Sequence, residues 1–291
     1  MTNEHGGGKG KRGNMSVIRR IFIPADVTAD HRAVVRRYVE RIGALPGTDW
    51  PLAIEAFNLL RHAVVVRVDD RAYTFAQVHE ELVDARYATP FIKGLLDLED
   101  VGRGSIPLWA AAARHIYRDL TEIGLHDPER YPESRLLMAY CLYWWQSFCK
   151  GYAFEAEIFR DLERSGLHFQ AHDLLDPNDR RSPHDLLISG FRGDVKTSVY
   201  FLLKASGERV SSDFFITRVW LPGRRARTLA VFLQDVAWEA IDGETLLTLL
   251  SDLEEVLPRP ARIPYHGGHL VVADYADWKE KMRDYQRKLE E

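Results

Sequence analysis

The chain has 291 residues, of which 46% are hydrophobic and 28% charged. That is enough apolar material for one large domain or two smaller ones with a substantial core, and it excludes a disordered or collagen-like chain. No apolar run approaches the ~18 residues needed to span a bilayer, and a net charge of −4 requires any nucleic-acid-binding face to be local.

Met1–Gly13 is rich in Gly and Lys and lacks the apolar stretch of a signal peptide. Residues 1–15 are therefore expected to be a disordered leader, with Met15 as an alternative start. Alternation over Val17–Pro24 predicts a strand, and the apolar spacing in Asp30–Ala44 and Leu52–Leu60 predicts two helices. Ala63–Thr74 reads as a hairpin turning at Asp69-Asp70, after which Thr74 caps a helix running through Tyr87. A further helix is expected over Leu108–Ile123. Residues 16–130 thus form a mainly helical region without a chemical motif, assigned to targeting or assembly.

Ser134 is the expected N-cap of a helix running to Cys149. With Tyr140, Tyr143, Trp144, Trp145 and Phe148 it is apolar almost all round. Such a helix could stack on bases, but aromatic helical runs usually face protein, so it is assigned to packing. Cys141 and Cys149, the only cysteines, would lie roughly 12 Å apart by helical rise, too far for a disulfide. They are read as buried apolar residues in a reducing compartment, the cytoplasm.

The chemistry begins in the next segment. Phe154, Ile158 and Leu162 recur at helical spacing with Phe159 widening the stripe, and Gly166 is the expected stop. Glu155 and Glu157 flank that stripe on different sides. Leu167–Ala171 is a candidate strand. Asp185 then ends a polar run and opens an apolar strand, a Gly-containing turn follows, and Asp194-Val195-Lys196 lies on the next strand.

Side chains alternate along a strand, so Asp194 and Lys196 share a face. A two-residue loop centred on Gly190 and Phe191, or a four-residue Ser189–Arg192 loop in the same register, places Asp185 opposite Lys196 and diagonal to Asp194. A three-residue loop would shift the pairing by one and need a bulge to restore the cluster. Two acids and a lysine on one half-buried face need a compensating partner, because like charges repel and desolvation is costly. Oxygen ligands from Asp185, Asp194 and the Val195 carbonyl suit Mg²⁺ or Mn²⁺. Lys196 would orient an attacking water or stabilise charge developing on phosphate.

Downstream, Val199–Leu203 would extend the strand, and Asp213–Leu221 and Arg227–Trp238 read as strands around a Pro222-Gly223 turn. Glu244–Val256 is expected to be helical, Leu257–Pro264 a loop, His269–Ala273 a strand, and the polar C-terminal segment a helix. A second triplet, Asp277-Trp278-Lys279, is read as a helix cap with a solvated lysine. His266-Gly267-Gly268-His269 offers two histidines without a third ligand and is read as a turn. His184 should point away from the acids and receives no role.

Residues 150–198 resemble the core of the PD-(D/E)XK (restriction-endonuclease-like) nuclease superfamily, in the local style of archaeal Holliday-junction resolvases. The resemblance rests on the Lys150-Gly151 pair, the glutamate four positions after the glycine, Asp185, Asp194-Val195-Lys196 and the trailing Thr197-Ser198. The order is a helix with an acid, a strand, a strand with Asp, and a strand with Asp-x-Lys. His184 interrupts the Pro-Asp pair, and the gap between Asp185 and Asp194 is short. The resemblance implies an α/β fold with a mixed central sheet flanked by helices in residues 131–291. It implies Glu155, Asp185, Asp194 and Lys196 as catalytic residues, with Glu157 a rival for the helix acid. The implied metal ligands are Asp185, Asp194, Val195 and Glu155, for Mg²⁺ or Mn²⁺.

The expected activity is a metal-dependent endonuclease acting on nucleic acid, DNA in the first instance, with no membrane partner and with a homodimer as an open assembly. The alternative is a catalytically silent nuclease fold that binds nucleic acid or a protein. Arg180, Arg181, Arg192, Arg224 and Arg225 are the candidate phosphate contacts.

Overall fold

The computed structural model describes residues 20–40, 50–66, 71–197, 212–219, 226–234, 261–265 and 268–291. The expectations for the leader, for Val199–Leu203, for the Asp69-Asp70 and Pro222-Gly223 turns, for Glu244–Val256 and for the His266-Gly267 pair lie outside the described residues, as do Arg224 and Arg225. The chain is mixed α/β and divides into two compact units that interleave in sequence. One holds residues 1–88 and 109–147, the other 89–108 and 148–291. Residues 89–108, expected with the N-terminal region, thus group with the unit that carries the larger sheet.

The first unit carries a small antiparallel sheet, β1 (Arg20–Phe22), β2 (Val64–Val66) and β3 (Ala72–Thr74), with β2 in the middle. Val64 pairs with Thr74 and Val66 with Ala72. Helices α1 (Ala29–Glu40) and α2 (Trp50–Leu60) follow the expected apolar stripes. Thr74 caps α3 (Phe75–Val78) in a full capping box, its hydroxyl accepting from the Gln77 amide while the Gln77 side chain accepts from the Thr74 amide. The chain continues through a wider π turn (His79–Asp84) into α4 (Ala85–Leu96). Next, α5 (Val101–Glu122) begins before its expected start at Leu108, because Asp100 accepts the Arg103 amide and the helix absorbs Pro107.

The expected helices at Ser134–Cys149 and Lys150–Gly166 are one continuous helix, α6 (Ser134–Arg164). Ser134 opens it, and its hydroxyl accepts the Asp127 amide. The aromatic stretch up to Trp145 packs within the first unit, as the sequence indicated. Trp145 is fully buried, Phe57 stacks on Tyr143 at 4.0 Å, and the Tyr38 hydroxyl donates to Gln146 Oε1 at 2.6 Å. Cys141 and Cys149 are both buried free thiols.

In the second unit, Gly166 ends α6 in the left-handed region (φ 74°), with the Leu167 amide reaching back to the Leu162 carbonyl. Arg160 on this helix donates to the carbonyls of Leu96 and Leu98 at the end of α4. A seven-stranded sheet follows, in the order β4-β5-β6-β7-β8-β10-β9. Its strands are β4 (Gln170–Ala171), β5 (Leu186–Ile188), β6 (Phe191–Lys196), β7 (Phe214–Val219), β8 (Arg227–Gln234), β9 (Ala261–Tyr265) and β10 (Gly268–Asp274). All pairs are antiparallel except β6 with β7, which run parallel. Residues 261–264, expected in a loop, form most of β9, because Ala261–Tyr265 has β10 to pair with.

The last helix, α7 (Tyr275–Glu290), is capped by Asp274, whose side chain accepts the Ala276 amide. Asp277 is therefore not the cap. Nor is Lys279 solvated: its ammonium lies 2.6 Å from Asp161, which also accepts from the Tyr275 hydroxyl at 2.8 Å.

At Gly193 the parallel β6–β7 pair closes around an aromatic ring. A Cβ there would lie 2.3 Å from Phe214 Cζ, and Phe214 is fully buried. Gly193→Ala should therefore lower the unfolding free energy by about 1–3 kcal/mol in urea denaturation, the usual cost of overpacking. Adding Phe214→Leu should make the alanine cheaper; equal losses in both backgrounds would contradict the clash.

Candidate functional site

The β5–β6 turn sets the geometry. Ile188 pairs with Phe191 and Leu186 with Gly193, so the connection is the two-residue Ser189-Gly190 turn. Both residues have positive φ, 49° and 86°, the combination of a type I′ turn, whose twist suits a hairpin. The register therefore differs from the expected one by two residues, and the ladder ends at Leu186 and Gly193, where the Asp185 amide donates to the Gly193 carbonyl at 3.0 Å. A shift of two preserves the side-chain face. The convergence survives with different neighbours.

Asp185 and Asp194 are each 8% exposed. Asp185 Oδ2 accepts the Val195 amide at 2.7 Å, and Asp194 Oδ2 accepts the Ser212 hydroxyl at 2.6 Å. Lys196 Nζ sits between the two acids, 3.7 Å from Asp185 Oδ2 and 3.5 Å from Asp194 Oδ1. One lysine thus partly neutralises both strand carboxylates, and the Val195 backbone seen in the site is its amide.

Glu155 on α6 joins this cluster and Glu157 does not. Glu157 pairs with Arg218 at 2.9 Å, a guanidinium that also covers the Phe154 ring at 4.3 Å. Two helical positions are about 200° apart around the axis, which is why only one of the two glutamates can face the sheet acids. Between Glu155 and Asp185 lies a residue that the sequence reading passed over. His172 Nε2 is 3.3 Å from Glu155 Oε2, and its Nδ1 is 3.8 Å from Asp185 Oδ1. The ring is braced edge-on by Phe159 at 5.8 Å. One donor atom from each of Glu155, His172 and Asp185 lies within 4.8 Å of the others.

His172 directly follows β4, and its amide donates to the Asp185 carbonyl at 3.0 Å. It therefore extends the β4–β5 register beside Asp185. The only signal in the chain was a histidine closing the predicted strand, and the long connection to Asp185 hid the register. Ser212 arrives from the segment just before the parallel strand β7, a partner that no local pattern announces.

Burial raises the carboxyl pKa of Glu155, with His172 only partly offsetting it. Burial likewise raises that of Asp185, against the opposing charge of Lys196. Burial alone would lower Lys196, but Asp185, Asp194 and Glu155 reverse the effect and raise it. The same holds for His172, where desolvation is outweighed by Glu155 and Asp185.

The arginines divide. Arg192 is held in a two-toothed pair with Asp213, Nη2 to Oδ1 at 3.1 Å and Nε to Oδ2 at 3.2 Å, so its guanidinium is engaged within the protein. Arg180 lies on the short 3₁₀ turn Asp179–Arg181 with its Nη1 buried and lacking a hydrogen-bond partner. Arg181 follows it on that turn. No helix among the described residues is long and apolar enough to cross a membrane. Comparison with protein-family models, with curated proteins and with solved structures gives no match.

The raised carboxyl pKa values make a stability prediction. A carboxyl whose folded pKa is raised stabilises the fold below its unfolded pKa and loses that contribution as pH rises through the folded value. Metal-free Asp185→Asn should therefore resist urea better than wild type at pH 8, with the advantage shrinking toward pH 4. A variant equally or less stable at pH 8 would show that Lys196 and the Val195 amide outweigh the burial of Asp185.

Proposed function

We propose that this chain is a divalent-metal-dependent phosphodiester hydrolase, an endonuclease acting on nucleic acid, DNA in the first instance, built on a PD-(D/E)XK-type core. The observation that carries this reading is the gathering of Asp185, Asp194, Lys196 and Glu155 into one cluster, three of them from a single hairpin. The order of elements supports it too: a helix with the acid, a short strand, a strand opened by Asp185 and a strand carrying Asp194 and Lys196.

The donor set fits a divalent cation. Glu155 Oε2 is buried without a hydrogen-bond partner, and Asp185 keeps Oδ1 outside its bond to the Val195 amide. With the Val195 carbonyl, Asp185, Asp194 and Glu155 are the proposed ligands for Mg²⁺ or Mn²⁺. When bound, the ion would polarise the phosphate and lower the pKa of a coordinated water. The chain's own groups do the rest. Ser212 and the Val195 amide fix the two carboxylates, so that neither swings into the space the phosphate must enter. Lys196, kept protonated by three acids, presents a positive charge where the phosphate oxygens gather charge as the bond breaks. Arg180 and Arg181, beside the Asp185 strand, remain proposed phosphate contacts, and Arg192 would have to leave Asp213 to become one.

Incubation with supercoiled, linear, single-stranded and branched DNA and with RNA, each with Mg²⁺ or Mn²⁺, tests the reading. Asp194→Ala and Lys196→Ala should each lower the cleavage rate by roughly 10²–10³-fold, as loss of an electrostatic stabiliser does. Cutting that survives both substitutions would sink the assignment. Nucleic-acid binding without cleavage would favour the catalytically silent alternative.

A further inference from the structure

We infer that His172 is a metal ligand, and that Glu155, His172 and Asp185 form a nitrogen-and-oxygen site selecting a transition-metal cation such as Mn²⁺ over Mg²⁺. The inference rests on the proposed function only for the ion's use; the binding itself does not depend on it.

Three observations carry it. The His172 side chain is 6% exposed, yet neither ring nitrogen has an aligned hydrogen bond among the described residues. A buried imidazole normally spends at least one nitrogen on such a bond. Its neighbour Glu155 Oε2 is buried and likewise lacks an aligned hydrogen bond, so the two side chains meet at 3.3 Å as a poorly aligned ion pair whose shared proton a cation would replace. Finally, the three donor atoms span no more than 4.8 Å. Donors at ~2.1 Å from an octahedral ion lie ~3 Å apart when adjacent and ~4.2 Å when opposite, so the cluster closes on an ion by side-chain movement alone, least where its widest pair becomes the opposite one. Lys196 occupies the other side of Asp185, between Oδ2 and Asp194, which leaves the Glu155–His172 side as the open one.

The donor chemistry sets the choice of ion. Mg²⁺ prefers oxygen alone and dehydrates reluctantly, whereas an imidazole suits the later divalent ions. A chelate of two carboxylates and one imidazole therefore favours Mn²⁺, and more so Co²⁺ or Ni²⁺. Phe159 against the ring holds it in one orientation, so the nitrogen is presented without a rotamer search.

Pulsed EPR on the full chain with one equivalent of Mn²⁺ reads the nitrogen directly. Wild type should show ¹⁴N imidazole modulation, and His172→Ala should lose it while Mn²⁺ affinity by titration calorimetry falls at least about tenfold. Mg²⁺ affinity should change by less than about threefold in the same variant. A thermal melt verifies that the variant is folded, and His172→Gln serves as a second, oxygen-bearing replacement that should also lose the modulation. Bound Mn²⁺ without nitrogen modulation in wild type, or no Mn²⁺ binding at all, would overturn the inference whether or not DNA is cut. Nitrogen-coordinated Mn²⁺ in a protein that cuts no nucleic acid would uphold it and defeat the nuclease reading instead.

Discussion

Like-charge crowding on a nearly dry sheet face is the constraint around which the second unit is arranged. Glu155, Asp185 and Asp194 are all largely withdrawn from water, and unit charges ~4 Å apart repel by about 4 kcal/mol at the effective dielectric of a protein site. A fold selected for stability alone would replace such acids with apolar residues. This one keeps them and answers with partial compensation: a single ammonium shared by two acids, a backbone amide on one and a hydroxyl on the other. The compensation is incomplete on the Glu155–His172 side, where Glu155 Oε2 and both His172 ring nitrogens lack a hydrogen bond.

The rest of the unit keeps those groups in place. The type I′ turn admits no slip by one residue, and α7 fastens it from outside. Gln286 donates to Ser189 Oγ and the His168 carbonyl and accepts the His168 amide, tying the turn to the entry of β4. On the other side, Arg218 takes up Glu157 and covers Phe154, which fixes the rotation of α6 and turns Glu155 toward the sheet. The parallel step from β6 to β7 brings Ser212 to Asp194. Each device is remote in sequence from the acid it positions.

Local pattern therefore made some of the site legible and hid the remainder. Asp194 and Lys196 share a face by strand parity alone, and Asp185 joins them under any even-numbered loop, so the trio could be read from spacing even though its pairing partners were misassigned by two. Amphipathicity does not separate Glu155 from Glu157, since both flank the stripe; in the structure Arg218, sixty-one positions on, holds Glu157 away from the sheet acids. His172 needed the β4–β5 register, which spans a connection whose length carries no turn signature. The same rule governs the fold. Thr74 and Gly166 act through bonds within a few residues and were foreseen, whereas the union of two predicted helices into α6 depends on packing along its whole length.

That division bears on why the site is assembled from a hairpin and a helix rather than a hairpin alone. A hairpin supplies acids at fixed spacing but only one chemical layer, and each added carboxylate deepens the repulsion. Bringing Glu155 from α6 and His172 from the end of β4 adds donors at an angle to the sheet, so that ligands converge on a volume instead of a line. The cost shows in Glu155 and Asp185, whose pKa values are raised, and in His172, whose own is elevated. Those shifts share a sign that favours protons on the acids and on the ring. Under the proposed metal binding, a cation would displace those protons, and the crowding that costs the fold stability would favour its binding.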